Sequence, residues 1–134
     1  MQHLTPQEIF DIISQDFGSI VRFTEADRVL CDERENKFNT RSPEDYRCKY
    51  QCFLRYDGCC GAHNTGRIAY LINPNSEEKF EVTLNVHVTI DEETFSREVL
   101  LTLPPSTKLG LSCTKTFTQP EATLRFTILS ENIV

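Results

Sequence analysis

The sequence predicts an all-β, antiparallel sandwich with a short N-terminal helix, and three observations carry the prediction. The first is the stretch from Lys79 to Leu103. Phe80, Val82, Leu84, Val86, Val88 and Ile90 alternate with Glu81, Thr83, Asn85, His87 and Thr89, the period-two pattern of a strand with one face buried and one wet. Beyond the polar Asp91-Glu92-Glu93-Thr94, Phe95, Val99, Leu101 and Leu103 continue on one face, so the two runs read as an antiparallel hairpin with a four-residue connection. The second observation is spacing: apolar runs recur roughly every ten to fifteen residues with polar turns between them, and no alternation of strand with long helix appears. The third is Thr5-Pro6-Gln7-Glu8, a helix start with a capping Thr, Pro at the first helical position and Glu three residues after the cap.

From that start, Ile9, Phe10, Ile13 and Phe17 recur at helical spacing, and Gly18 stands where a left-handed residue ends a helix. Residues 1–18 are therefore expected to form a helix packed on the domain, and 19–134 a single sandwich of seven or eight strands. Ser19 to Phe23 and Arg28 to Cys31 are short candidate strands. Asp32 to Asp45 is charged and poor in apolar residues, so it is expected to be an exposed loop; its length makes Asn36, Phe38 and Arg41 candidate partner-binding residues.

Residues 46–63 form a cysteine-bearing excursion holding Cys48, Cys52, Cys59 and Cys60, with Cys31 and Cys113 far away. Three chemistries compete for it. A zinc site would draw on Cys48, Cys52, Cys59, Cys60 and His63; yet Tyr46, Cys48, Tyr50, Cys52, Leu54 and Tyr56 alternate as in a strand, which would hold residues four apart at ~13 Å. A disulfide framework is compatible with six cysteines and an oxidising compartment. Alternatively, the thiols serve as small apolar core residues, the expectation for Cys31, Cys48, Cys52 and Cys113. Cys59 and Cys60, expected in a turn beside Asp57-Gly58 and Gly61, are the candidates for a paired or reactive thiol. A nucleophile at one of them with His63 as base would lack an orienting third group.

Arg67 to Ile72 reads as a central strand, Asn73-Pro74-Asn75-Ser76 as a turn, and Leu109 to Cys113 and Ala122 to Ile128 as further strands. The string from Leu101 through Pro104-Pro105 to Cys113 resembles the strand, Pro-marked turn and strand of immunoglobulin-like or fibronectin-like sandwiches. The resemblance covers about half the chain at the level of pattern, and the Cys-Trp-Cys arrangement of true immunoglobulin domains is absent, since the chain has no Trp.

Fourteen basic against twenty acidic residues give a net charge of -6, which disfavours nucleic acid and anionic membranes. No apolar run reaches the ~20 residues of a membrane span, and residues 1–30 lack a basic start followed by an apolar core. The expectation is a soluble chain, cytoplasmic if its thiols are free or metal-bound and secreted or periplasmic if they are bridged, leaning cytoplasmic. Functionally, the sequence points to a noncatalytic module for protein-protein interaction with no cofactor. Its binding residues are sought in the 32–45 loop, the Cys59-Cys60 turn and the polar hairpin face, where His87 and Glu98 are joined by an exposed-side Leu100. The alternative is a protein with one structural zinc, or an active thiol, in the Cys48 to His63 segment.

Overall fold

The computed structural model describes residues 4–27, 52–116 and 121–134; Cys31, Cys48, the 32–45 loop and the candidate strand at 28–31 lie outside them. A helix, α1 (Pro6–Ile13), is followed by seven strands: β1 (Ser19–Val21), β2 (Phe53–Cys60), β3 (Gly66–Asn73), β4 (Phe80–Ile90), β5 (Glu93–Leu103), β6 (Thr107–Cys113) and β7 (Thr123–Ile133). They form two antiparallel sheets, a four-stranded one ordered β1-β6-β3-β2 and a three-stranded one ordered β5-β4-β7.

The alternation along β4 dictates its place. Its six apolar residues are buried and the intervening polar residues are half-exposed. The buried side chains meet Ala69 and Leu71 of β3, Leu109 and Leu111 of β6, and Leu124 and Phe126 of β7 in one cluster, so the two sheets share a core between their facing sides. The β4 to β5 connection is tighter than the sequence suggests. Ile90 pairs with Glu93, leaving only Asp91-Glu92 to turn, and Asp91 takes a φ of 54°, a conformation that Asp tolerates better than most residues.

At the N-terminus, Thr5 Oγ1 accepts from the Glu8 backbone N–H at 3.2 Å and Glu8 Oε1 accepts from the Thr5 backbone N–H at 3.0 Å, the reciprocal cap that the spacing implies. Ile9 and Phe10 are buried in the main core; Phe10 lies 5.7 Å from Phe95 and Phe17 lies 6.0 Å from Phe126, ring centre to ring centre. The helix ends at Ile13, earlier than the apolar spacing implies, because Ser14–Asp16 tightens into a 3-10 turn. Gly18 does adopt a positive φ of 90°, and its N–H bonds to the Gly110 carbonyl, so it marks the entry into β1 rather than the end of α1.

The four-stranded sheet is covered on its outer side as well. Phe53 and Ile72 pack there with Phe23 and Tyr70, which draws residues 22–27 over that face and makes β3 a strand buried on both sides. Asn73 closes the other end of the molecule: its buried amide donates to the carbonyls of Glu78, Leu103 and Pro104 and its Oδ1 accepts from the Asn75 N–H. One side chain thus holds together the two turns that the sequence places at 73–76 and 104–106.

Candidate functional site

Three regions gather polar or reactive groups. The first is the cysteine corner. β2 does not turn at Asp57-Gly58; it continues to Cys60 through an irregularity between Asp57 and Cys60, with Gly58 at a φ of 72°. Cys60 is bonded to Cys113, with Cα atoms 6.1 Å apart. This corrects the expectation for Cys113 as a reduced core residue. In strand order β2 and β6 flank β3, so their ends can meet only where β3 begins. That point is Gly66, which pairs with Cys60. A Cβ there would sit 2.6 Å from Cys113 Sγ and 3.0 Å from the Cys60 carbonyl oxygen, so the bridge passes over a residue that has to be Gly. Among the described residues Cys52 and Cys59 are free thiols. Cys59 is exposed and its Sγ accepts from Arg67 Nη1 at 3.0 Å. His63, exposed and at a φ of 57°, lies in the loop between β2 and β3.

Cys52 has a different environment. It is fully buried, and its backbone N–H donates to Glu131 Oε2 at 2.8 Å. Burial first, then the charge and hydrogen bond of the Glu131 carboxylate, push its thiol far above the usual range, which keeps it protonated where a zinc ligand or nucleophile must be a thiolate. Seven residues of extended chain put Cys52 ~20 Å from Cys59. Of the candidate metal ligands, Cys48 lies outside the described residues, Cys60 is bridged, and Cys52 is separated from the Cys59 and His63 end. Among the described residues, no group of three or more His, Cys, Asp or Glu side chains is placed to hold a metal ion.

The second region is a buried charge cluster on the outer side of the four-stranded sheet. Asp27 is 0% exposed; its Oδ1 accepts from Arg55 Nη1 at 2.8 Å and faces Lys108 Nζ at 3.5 Å. Its Oδ2 accepts from the Thr24 N–H at 2.8 Å and the Thr24 hydroxyl at 3.0 Å. Lys108 also lies 4.5 Å above the Tyr70 ring. Burial raises the Asp27 pKa, but the Thr24 backbone and hydroxyl donors, the Lys108 charge and the Arg55 guanidinium outweigh it and leave the carboxyl below its ordinary value. Both carboxylate oxygens are engaged by the chain itself, so the cluster fastens residues 22–27 to the sheet.

The third region is the outer face of the three-stranded sheet. Rows of side chains cross it in register: Thr94, Thr89 and Thr123; Ser96, His87 and Arg125; Glu98, Asn85 and Thr127; Leu100, Thr83 and Ser130. His87 Nδ1 lies 2.7 Å from the Ser96 hydroxyl, and the Thr89 and Thr94 hydroxyls are 3.0 Å apart. Of the partner-binding residues expected from the sequence, His87, Glu98 and Leu100 therefore share this face, whereas Asn36, Phe38 and Arg41 fall outside the described residues. Leu129 was not among them. The β7 register shifts between Thr83 and Leu84, whose partners are Ser130 and Ile128, and the extra residue of this bulge is Leu129. It is 47% exposed, and Leu100 across Thr83 is 59% exposed. A signal for it exists in the sequence: Leu124, Phe126 and Ile128 alternate, and Leu129 breaks the period directly after Ile128. Set against protein-family models, curated proteins and solved structures, the chain matches none of them.

Proposed function

We propose that this protein is a noncatalytic interaction module, an immunoglobulin-like sandwich that docks a protein partner on the outer face of β5-β4-β7. The observation that carries the reading is the leucine pair astride Thr83. A bulge re-aims one side chain of an otherwise regular strand, and here it leaves Leu129 exposed on β7, across Thr83 from the exposed Leu100 on β5. Two exposed leucines flanking Thr83, with the polar rows Glu98-Asn85-Thr127 and Thr102-Glu81-Asn132 on either side, combine apolar surface with a polar surround, as protein interfaces do. Support for the immunoglobulin-like part comes from the central pairings. β3 with β6 and β4 with β7 each join strands three apart in sequence, as the B-E and C-F pairs of that fold do. The place beside the E-like strand is taken by the N-terminal β1, and the bridge joins two strands of one sheet rather than crossing between sheets. The Cys60–Cys113 bridge favours an oxidising compartment.

The test is proximity cross-linking in the native host with tagged wild-type, L100E, L129E and a variant lacking Leu129. Removing Leu129 leaves Ile128 opposite Leu84 and Ser130 opposite Thr83, so the register survives while the apolar centre is lost. Partners captured by wild type and lost by all three variants support the reading; a partner retained by all three overturns it. A second reading, thiol chemistry at Cys59, rests on its exposure beside Arg67 and requires an activity that C59S abolishes.

A further inference from the structure

The two outer strands of the three-stranded sheet end differently at their free edges. The edge of β7 is closed at its start, where the Leu124 N–H donates to the Thr114 carbonyl and Lys115 bridges to Thr123, and it is bent further on by the bulge at Leu129. β5 has neither device: its eleven residues contain no Pro or Gly and pair with β4 in unbroken register. In the other sheet, β2 is irregular near its end and β1 is only three residues long. Because Ile90 and Glu93 close a two-residue turn, they are a hydrogen-bonded pair, and such pairs alternate along the ladder. The odd-numbered residues from Glu93 to Leu103 therefore direct their backbone groups to β4, whereas Thr94, Ser96, Glu98, Leu100 and Thr102 turn theirs to the open edge. Among the described residues no strand pairs with that edge, the condition that invites a further strand.

Ile20 shows, independently, where such a strand would lie. It pairs with the core residue Leu109, so its side chain is on the side that faces the other sheet, yet it is 83% exposed. Four strands face three, and β1 overhangs. Its start lies close to β5, since a Cβ on Gly18 would stand 3.8 Å from Leu101 Cδ2. A strand laid against Val99 to Leu101 would pass beneath Ile20 and bury it. A second copy pairing β5 with β5 would bring its own four-stranded sheet into the space that β1 overhangs, so the seat suits a single extended segment. Charge sets the polarity of that segment. Glu98 and the hairpin residues Asp91, Glu92 and Glu93 are exposed, whereas Arg97, the only cation of β5, lies over the rings of Phe10 and Phe95, 5.4 Å from each centre. We propose that β5 accepts an extended, antiparallel peptide segment of a partner protein, apolar at the alternate positions beneath Ile20 and basic toward its C-terminal end, where it meets Glu98 and the hairpin tip. Main-chain pairing at this edge does not use Leu129, so its fate is separate from that of the face-docking reading.

The test is amide hydrogen exchange of the isotopically labelled full chain, read by NMR, with the capped peptide TVTVKVTVKK as probe. Without peptide, the amides of Ser96, Glu98, Leu100 and Thr102 should exchange fast and those of Arg97, Val99 and Leu101 slowly. With free peptide at about nine times its dissociation constant, the fast set should slow by about tenfold, since only a tenth of the edges stay open, and the slow set should not change. The peptide TVPVKVPVKK, which keeps the charge but lacks two of the amides that would bond to β5, should give no slowing, and the charge-reversed TVTVEVTVEE should bind more weakly. I20S should weaken the parent peptide about tenfold, the contribution of one buried isoleucine, and L129E should leave it unchanged. E98K should exchange the preference between TVTVKVTVKK and TVTVEVTVEE, a reversal that loss of folding cannot imitate. The proposal is overturned if the parent peptide slows none of these amides, if the proline peptide acts as well as the parent, or if Glu98 and Leu100 are already protected in the free chain. In the last case, dependence of that protection on protein concentration would identify a second copy as the occupant.

Discussion

Asp27 is the residue whose environment departs furthest from what its type would suggest. A carboxylate at 0% exposure is tolerable only because two cations and two Thr24 donors surround it, and removing it leaves Lys108 buried without its anion. We expect D27A to cost about 3 kcal/mol at pH 7 in urea unfolding. Because the folded pKa is lowered, the stabilisation is fully present above the unfolded value of about 4 and is lost as the pH falls through the folded one. D27N should therefore flatten the acid limb of the stability profile while leaving the neutral and alkaline limbs parallel to wild type; an unchanged acid limb would mean that other carboxylates dominate it. The thiols give a second expectation at this scale. In native protein at pH 8, Cys59 should react with a disulfide reagent at a rate near that of a free thiol, whereas Cys52 should react only after unfolding, a contrast that C59S and C52S variants assign. The buried Cys52 and the exposed Cys59 stand where the sequence pattern expects them, whereas the ion pairs of Asp27 are not legible in the sequence. Thr24 is local, but the cationic partners of Asp27 lie 28 and 81 residues away, and no local pattern signals a contact of that separation.

Elements are legible where their two faces differ chemically. β4 is readable because every second residue is apolar, β5 because Phe95, Val99, Leu101 and Leu103 fall on one face, and α1 because its cap is local. The end of β2 is not, because Asp57-Gly58 is turn chemistry on any local scale; here the same dipeptide supplies the left-handed residue of a strand irregularity, which pairing with β3 overrides into continued extension. The cysteine pairing is not readable at all, since it depends on β2 and β6 flanking β3, and strand order is not a local property. The element-scale expectation concerns that crossing. With Cys113 Sγ 2.6 Å from the place a methyl group would occupy, G66A should cost about 2 kcal/mol, and part of that cost should vanish in a C113A background. Equal cost in both backgrounds would show that the backbone of Cys60 and the Lys115 side chain, not the bridge, exclude the methyl group.

For the whole molecule, the class of fold is available from spacing alone, whereas the double coverage of the four-stranded sheet is not. Nothing in residues 22–27 reads as a layer until Phe23 and Asp27 are seen against Tyr70, Arg55 and Lys108. Among the described residues no helix is long and apolar enough to cross a membrane. Stability at this scale should depend on redox state. Replacing Cys60 and Cys113 together by Ala is expected to cost about 4 kcal/mol, measured by thermal unfolding, and reductant should lower the midpoint of the wild type by more than it lowers that of the double variant.

The bridge also governs how the molecule would answer to force. Cys60 and Cys113 are 53 residues apart, and between them lie β3, β4, β5 and nearly all of β6, a closed covalent ring from which α1, β1 and β2 leave on one side and β7 on the other. Pulled by its two ends, the chain would carry tension through the sulfur atoms, and the ring would stay out of the load path even after its strands had come apart. Stretching in an optical trap should therefore give the unreduced wild-type chain a contour length roughly 180 Å shorter than that of the C60A/C113A variant. The leucine face, borne by β4 and β5 within the ring and by β7 outside it, would part along the β4 to β7 seam before either side lost its covalent hold on the other.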